Sequence, residues 1–397
     1  MGWPNKTLCF FFILLATVVA AQVATSSSAS LLEDAGHAMA AGNLHRADAD
    51  LQSVLRQTPQ DYRAIDLLGV VRVLQHRNTD AESLFRKALL KKPDFAPAQA
   101  HLGLLYVQTG RASEAEPHLR EALRLDSSRR DAADALVALL RDEARAAVDD
   151  KDLKKAFATL TDAAKYAPDN AGLQVEIGTV ELQLSLWNDA VLSLQRALAI
   201  DNNQPLALYD LGRAYLGERK FEEARQQFAK YVALRPNDAA GHCSLGMTLA
   251  ALEHLPEARS QFEQSIALDP KQTESYLRLA LIEPNEEDLD AAAKNLTAVL
   301  TLDPQHAAAL SAMGRVYFEQ KHYPEAIEVL QRAIASDGSM REPHYYLGLV
   351  FARVGRKEES AEQLQIATRL EHDEAERRRT SLRLSDQGDN PHPQPPN

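Results

Sequence analysis

Large apolar residues recur along the chain at offsets of three and four from small ones, and the whole arrangement returns every 34 residues. Leu68-Gly69 comes back as Leu102-Gly103, Leu211-Gly212, Leu245-Gly246 and Leu347-Gly348, with Ile177-Gly178 and Met313-Gly314 as variants. Twelve residues after the glycine stands a second small residue, in the series Ala47, Ala81, Ala115, Ala156, Ala190, Ala224, Ala258, Ala292, Ala326 and Ser360; Ala35, Ala144 and Ala280 take the glycine position in three units. Four residues further on comes a bulky apolar one, such as Phe85, Leu119 or Phe228, and three beyond that usually an alanine. Offsets of three and four put residues on one face of a helix. Pro59, Pro93, Pro168, Pro236, Pro270, Pro304 and Gly338 close most units. Each unit therefore reads as a helix, a short turn, a second helix and a stop. Neither helix can bury its apolar stripe alone, so neighbouring units must stack.

The stretch "ALYDLGRAYLGERKFEEARQQFAKYVALRPN" shows the unit best, with Leu211, Gly212, Tyr215, Ala224, Phe228 and Pro236 as its landmarks. It resembles the tetratricopeptide repeat, and the resemblance runs over residues 28–374. Ten repeats are expected, at 28–61, 62–95, 96–129, 130–170, 171–204, 205–238, 239–272, 273–306, 307–340 and 341–374. The first and last are degenerate, as capping units tend to be. The implied fold is all-α, a right-handed α-solenoid of stacked two-helix repeats. The fourth repeat carries seven extra residues, close to two turns of helix. Its first helix is expected to run from Arg130 to Val148 and to project beyond its neighbours. In the eighth, Glu283-Pro284-Asn285 should shorten or kink the first helix. Beyond the array, residues 375–386 suit a capping helix, and residues 387–397 are too polar and proline-rich to fold.

The N-terminus changes the picture. Lys6 precedes a short apolar run from Leu8 to Ala20, and Val19-Ala20-Ala21 supplies the small residues that signal peptidase requires before Gln22. Residues 1–21 are expected to be a secretory leader and residues 22–27 a linker, which makes the protein exported, periplasmic or secreted. The apolar run falls short of the roughly 20 residues of a membrane helix, which favours a cleaved leader over the alternative of a retained anchor, and no span is expected after cleavage. Formal net charge is −12, from 44 Lys and Arg against 56 Asp and Glu. That balance argues against a nucleic-acid partner, which calls for a basic stripe. Cys9 and Cys243 are the two cysteines, so the exported chain has no disulfide framework and must rely on packing.

Candidate chemistry is sparse. "GHCSLGMTLA", Gly241 to Ala250, places Cys243 between a histidine and a serine, but the repeat register makes Gly246 a packing glycine and Cys243 a helix residue one turn before it. Among the twelve histidines there is no HExxH pair, and neither a CxxC motif nor a glycine-rich phosphate loop occurs. No metal, no cofactor and no enzymatic activity are expected. In proteins of the resembled family the first helices line a concave groove through unit positions 2, 5, 6, 9, 12 and 13. Their carboxylate clamp for chaperone C-termini needs lysine at position 5 and asparagine at position 9; this chain has neither in any repeat. The groove offers Arg141, Arg145, Tyr209, Arg213, Arg278, Arg315 and Tyr345 instead, a set suited to an extended peptide of acidic or C-terminal character. Asp149, Glu274 and Glu319 stand at equivalent positions and could neutralise the arginines internally. The expected function is a non-catalytic scaffold that binds peptide segments or partner proteins of an envelope or export assembly. Two alternatives stay open: an accessory subunit that positions a separate envelope enzyme, and a self-associating structural protein.

Overall fold

A computed structural model of the chain describes residues 28–282 and 289–388. The expected leader and linker, the Glu283-Pro284-Asn285 step and residues 389–397 lie outside the described residues. Twenty helices and no strand are found among the described residues. They divide into two compact units, residues 1–202 and 203–397.

The first unit holds α1 (Ser28–Ala40), α2 (Leu44–Gln57), α3 (Tyr62–Leu74), α4 (Asn78–Lys91), α5 (Ala96–Gln108), α6 (Ala112–Leu125), α7 (Arg130–Asp149), α8 (Leu153–Ala164), α9 (Ala171–Gln183) and α10 (Trp187–Ile200). The second holds α11 (Pro205–Gly217), α12 (Phe221–Leu234), α13 (Ala239–Ala251), α14 (Leu255–Leu268), α15 (Thr273–Leu281), α16 (Leu289–Leu302), α17 (Ala307–Glu319), α18 (Tyr323–Ser336), α19 (Arg341–Arg353) and α20 (Lys357–Gly388). Within each unit, odd and even helices pair, and successive pairs stack as an α-solenoid. In the first unit one large apolar cluster runs from Leu32 to Val180, with a smaller one around Ile65, Ala88 and Ala98.

The sequence landmarks are the packing points. A Cβ built on Gly69 would lie 2.5 Å from the Phe85 ring; the corresponding approaches are 2.8 Å for Gly212 on Phe228 and 2.4 Å for Gly314 on Leu330. Glycine is thus needed for backbone-to-ring contact rather than for a special φ. Ala47, Ala81, Ala224, Leu51, Phe85 and Phe228 are fully buried. Burying a Leu or Phe side chain contributes roughly 1.5–3 kcal/mol before entropy is charged, and the motif repeats that burial in every repeat but the last, where Leu364 is half-buried.

Turn chemistry sets the helix ends. The turn inside a repeat places its last residue in the left-handed region, filled by Gly42, Gly110 and Gly355 and by six other residues, His76, Lys151, Ser185, Arg219, Glu253 and Lys321, with φ of 59–65°. There the chain closes on the preceding helix, as in the 2.8 Å bond from the Arg77 N–H to the Arg72 carbonyl. Between repeats, Asp126, Asp269, Asp303 and Asp337 each accept a bond from the backbone N–H two residues on. Asp61, Asn170 and Asp238 cap the helices that follow them.

Three elements depart from the common lengths. α7 has 20 residues, and its added turns do not project freely: Asp131, Ala132, Ala135 and Leu136 are all buried, with Asp131 held 2.9 Å from Arg129. The apolar stripe simply continues backwards along the helix, so it is packed and not solvated. α15 has only nine residues and ends at Leu281. α20 runs 32 residues without a break at residue 374, so the expected capping helix at 375–386 is a continuation of the last repeat helix and not a separate element. Gln387 and Gly388, expected to begin the unfolded tail, close that same helix.

Candidate functional site

The seven groove residues predicted from sequence fall into different surroundings. On α7, Arg141 donates through Nε and Nη2 to both carboxylate oxygens of Glu176 on α9, at 2.9 and 2.5 Å, and this pairing raises its pKa. Arg145, on the same helix, is exposed and bonds Asp142 at 2.9 Å. In the second unit Arg213 reaches the buried carboxylate of Asp210 at 3.0 Å, and Arg278 reaches Glu274 at 2.6 Å. Of the three carboxylates that sequence offered as internal neutralisers, Glu274 pairs as expected, while Arg141, Arg145 and Arg213 pair with Glu176, Asp142 and Asp210 instead. The Arg145–Asp142 pair is exposed on both sides, and such a pair is worth about 0–1 kcal/mol, so it holds the guanidinium without locking it.

Arg315 on α17 and Tyr345 on α19 are joined through Tyr346. Burial pushes the Tyr346 phenol up, and the charge of the Arg315 guanidinium pulls it back. The Tyr345 ring meets Tyr346 edge-on at 5.4 Å, and the Arg341 guanidinium lies 5.7 Å from the Tyr345 ring.

Tyr209 is placed differently, in the wall of a cleft of about 670 Å³. The cleft is lined by Pro205, Leu206, Tyr209, Tyr231, Leu234 and Pro236, with Arg235, Asn237, Asp238 and Ala239 along one side. It is built from the start of α11, the end of α12, the following turn and the first residue of α13. Leu206 and Leu234 are 54% and 43% exposed there, although both are large and apolar. Tyr209 packs 5.0 Å from the Tyr231 ring and 5.6 Å from Phe228, and its hydroxyl lies 3.2 Å from Ser244 Oγ.

Tyr231 occupies repeat position 27, which is alanine at Ala88, Ala122, Ala197 and Ala333 and small or β-branched at Ser265, Val299 and Val54. Its bulk is accommodated because the next repeat carries glycine opposite: a Cβ on Gly241 would come within 2.6 Å of the Tyr231 ring. The Tyr231 hydroxyl donates to Asp238, whose other oxygen accepts from the N–H groups of Ala240 and Gly241 at 2.9 and 3.3 Å. Burial, reinforced by the Asp238 carboxylate, pushes the Tyr231 phenol up to about 12, so it stays a neutral donor. Sequence reasoning found Tyr209 but not Leu206, Tyr231, Leu234 or Arg235. The available signal was the aromatic residue at position 27 matched to Gly241, the residue that opens "GHCSLGMTLA".

The remaining nucleophile and ligand candidates have structural partners. His118, His242 and His344 bond Gln99, Gln261 and Gln363 through Nδ1 at 2.6, 2.8 and 2.7 Å, each pair bridging the two helices of one repeat. His101 bonds Asp66 at 2.9 Å between first helices, with both side chains buried. Cys243 is buried, and desolvation raises its thiol pKa, which opposes a thiolate nucleophile. Among the described residues no group of three or more His, Cys, Asp or Glu is placed to hold a metal ion. No described helix is long and apolar enough to cross a membrane.

A stack of antiparallel helix pairs whose open feature is an apolar cleft defines a repeat protein built to bind other proteins. The chain belongs to the tetratricopeptide repeat family. Tetratricopeptide repeat models match residues 72–140 and 182–245, and 141–205 and 311–375; the model for the cytochrome c-type biogenesis protein H TPR domain matches 228–336. Together they cover residues 72–375. Superkiller protein 3 of Schizosaccharomyces pombe is 26% identical over 159 residues, 40% of this chain and 11% of that one. Type IV pilus assembly protein PilF of Pseudomonas aeruginosa is 25% identical over 160 residues, 33% of this chain and 64% of that one. The chain thus spans less than two thirds of the length of these curated relatives. Among solved structures, Naa15/Naa10 bound to HypK-THB superposes with a TM-score of 0.50 at 14% identity, over 87% of this chain and 64% of that one, a likeness of fold alone.

Proposed function

We propose that the chain is an exported scaffold of the periplasm or extracellular space, without catalysis of its own, that holds peptide segments or partner proteins of an envelope or export assembly. The observation that carries this reading is the Tyr209 cleft, where two exposed leucines, two prolines and two tyrosines face outward together. Surface of that kind, pre-formed by rigid stacking, binds with little loss of conformational entropy. Export is supported by the leader-like residues 1–21. An assembly role is supported by a family model named for cytochrome c-type biogenesis and a relative named for type IV pilus assembly. In this reading Tyr209 lies at the centre of the contact. Arg141 and Arg145 in the first unit, and Arg213, Arg278, Arg315 and Tyr345 in the second, offer further contacts, where an acidic ligand would exchange with the carboxylates already in place.

The test is crosslinking affinity purification of residues 22–397 from envelope and secreted fractions, beside a variant with Leu206→Ser and Tyr209→Ala and a second with Arg141, Arg145 and Arg213 changed to Glu. Loss of a partner from the first variant places it at the cleft; loss from the second places it on the arginine surface. Capture of the chain alone favours self-association, and co-purification of an envelope enzyme activity favours the accessory role. Sequencing the mature N-terminus should give Gln22 as the first residue, and an intact residue 1 in the exported fraction would sink the leader.

A further inference from the structure

Building on that scaffold reading, we propose that the Tyr209 cleft selects an internal, extended peptide segment that carries a leucine-sized or aromatic side chain with an Asp or Glu side chain one to three residues away. The apolar half of the preference comes from the walls. About 670 Å³ lined by Leu206, Tyr209, Tyr231, Leu234 and the two prolines falls within the roughly 300–1,000 Å³ of ligand clefts and has room for a few side chains. Aromatic anchors buried in such pockets carry much of the binding energy of an interface, and a buried leucine side chain adds its hydrophobic contribution.

The acidic half comes from which charges are spent. Asp238 is the one carboxylate lining the cleft, and it is consumed by the Tyr231 hydroxyl and by the Ala240 and Gly241 N–H groups. Both of its oxygens are engaged by those donors. Arg235 at the rim is exposed and, among the described residues, has no carboxylate partner, in contrast to Arg141, Arg145, Arg213 and Arg278. The cleft therefore presents one guanidinium without an ion pair beside apolar walls and a carboxylate whose oxygens are already engaged. A ligand carboxylate meets that guanidinium without displacing anything.

The same arrangement decides between a side-chain and a terminal carboxylate. Backbone N–H groups at a helix N-terminus are the natural receptor for a chain terminus. At the start of α13 those amides are already capped by Asp238. What remains is a single exposed guanidinium on an open cleft, which suits a side chain on a segment that passes through.

The experiment pans a library of random twelve-residue peptides, displayed with both ends fused, against residues 22–397. Enriched sequences are then made as end-capped synthetic peptides and titrated against the parent, Arg235→Glu and Leu206→Ser. Both substitutions are at exposed positions, and unchanged unfolding temperatures verify that the variants are folded. The expected result is a shared pattern of an apolar or aromatic residue near Asp or Glu. Arg235→Glu should weaken binding about tenfold, and a peptide with Lys in place of its acid should regain binding to Arg235→Glu while losing it on the parent. Enriched peptides that lack the acid, need a free C-terminus, or bind Arg235→Glu and Leu206→Ser as well as the parent overturn the assignment while leaving the scaffold reading intact. If no peptide is enriched and affinity purification returns only the chain itself, both fall.

Discussion

Phenylalanine takes the bulky packing position three times, as Phe85, Phe228 and Phe262, and each time it faces glycine, at Gly69, Gly212 and Gly246. Where the facing residue is Ala35, Ala144 or Ala280, the bulky residue is Leu51, Leu160 or Leu296. Ring and methyl are alternatives for one space. Gly212→Ala should cost about 1–3 kcal/mol through overpacking against Phe228, despite the better helix propensity of alanine. Adding Phe228→Leu should recover part of that loss, which chemical denaturation of the two single variants and the double variant will read as a favourable coupling. A second residue works by charge. Glu181 is buried, one of its oxygens has no hydrogen-bond partner among the described residues, and desolvation raises its pKa, with Asp189 adding to the rise while Ser193 and Arg196 oppose it. Its neutral form is favoured in the folded state. As pH rises through the unfolded value of about 4.3 the unfolded chain ionises first, so stability falls until pH passes the raised folded value and then stays level. Glu181→Gln should therefore be more stable than the parent at pH 7, with the gap closing as pH drops below about 4. Thermal melts across that range check it, and an unchanged gap would place the cause elsewhere.

Turns and helices show which parts of the molecule could be read in advance. The left-handed turn position recurs in nine repeats and is glycine in only three, so side chains such as Lys321 and Arg219 carry strain that a left-handed L-residue meets. Lys321→Gly should raise stability by up to about 1 kcal/mol, less the entropy of glycine, whereas Gly110→Val should lower it by about 1–2 kcal/mol. Denaturant midpoints of the two variants should move in opposite directions. The register of helices was legible because the small and bulky landmarks that define it are also the contacts that close the core. The long α7 was legible from its seven added residues, but its packing was not: a helix expected to project buries Asp131 against Arg129 and Ala132, Ala135 and Leu136 beside it. The cleft escaped because it depends on Tyr231 and Gly241 deviating together, in different repeats. Likewise Arg141 could be matched by spacing to several carboxylates, and only the three-dimensional pairing selects Glu176.

For the molecule as a whole, stability in a stack comes from each repeat and its immediate neighbours, and not from one distant core. The two units each carry five repeats, so residues 203–397 expressed alone should keep helical circular dichroism and peptide binding at the cleft; a collapse of helicity would show that the first unit is required for it to fold. The matched pair at the repeat boundary has a further consequence for anyone who would rebuild such proteins. Consensus engineering treats repeats as interchangeable tiles, to be shuffled, averaged or multiplied. Here the tile holding Tyr231 fits only a successor that begins with Gly241 in place. A transplant of residues 205–238 into another array would carry half of a lock, and an averaged sequence would restore alanine at position 27 and erase the recess without disturbing the fold. Inheritance of this recess therefore runs in blocks of two repeats, and duplication or recombination within a block is the event that would erase it.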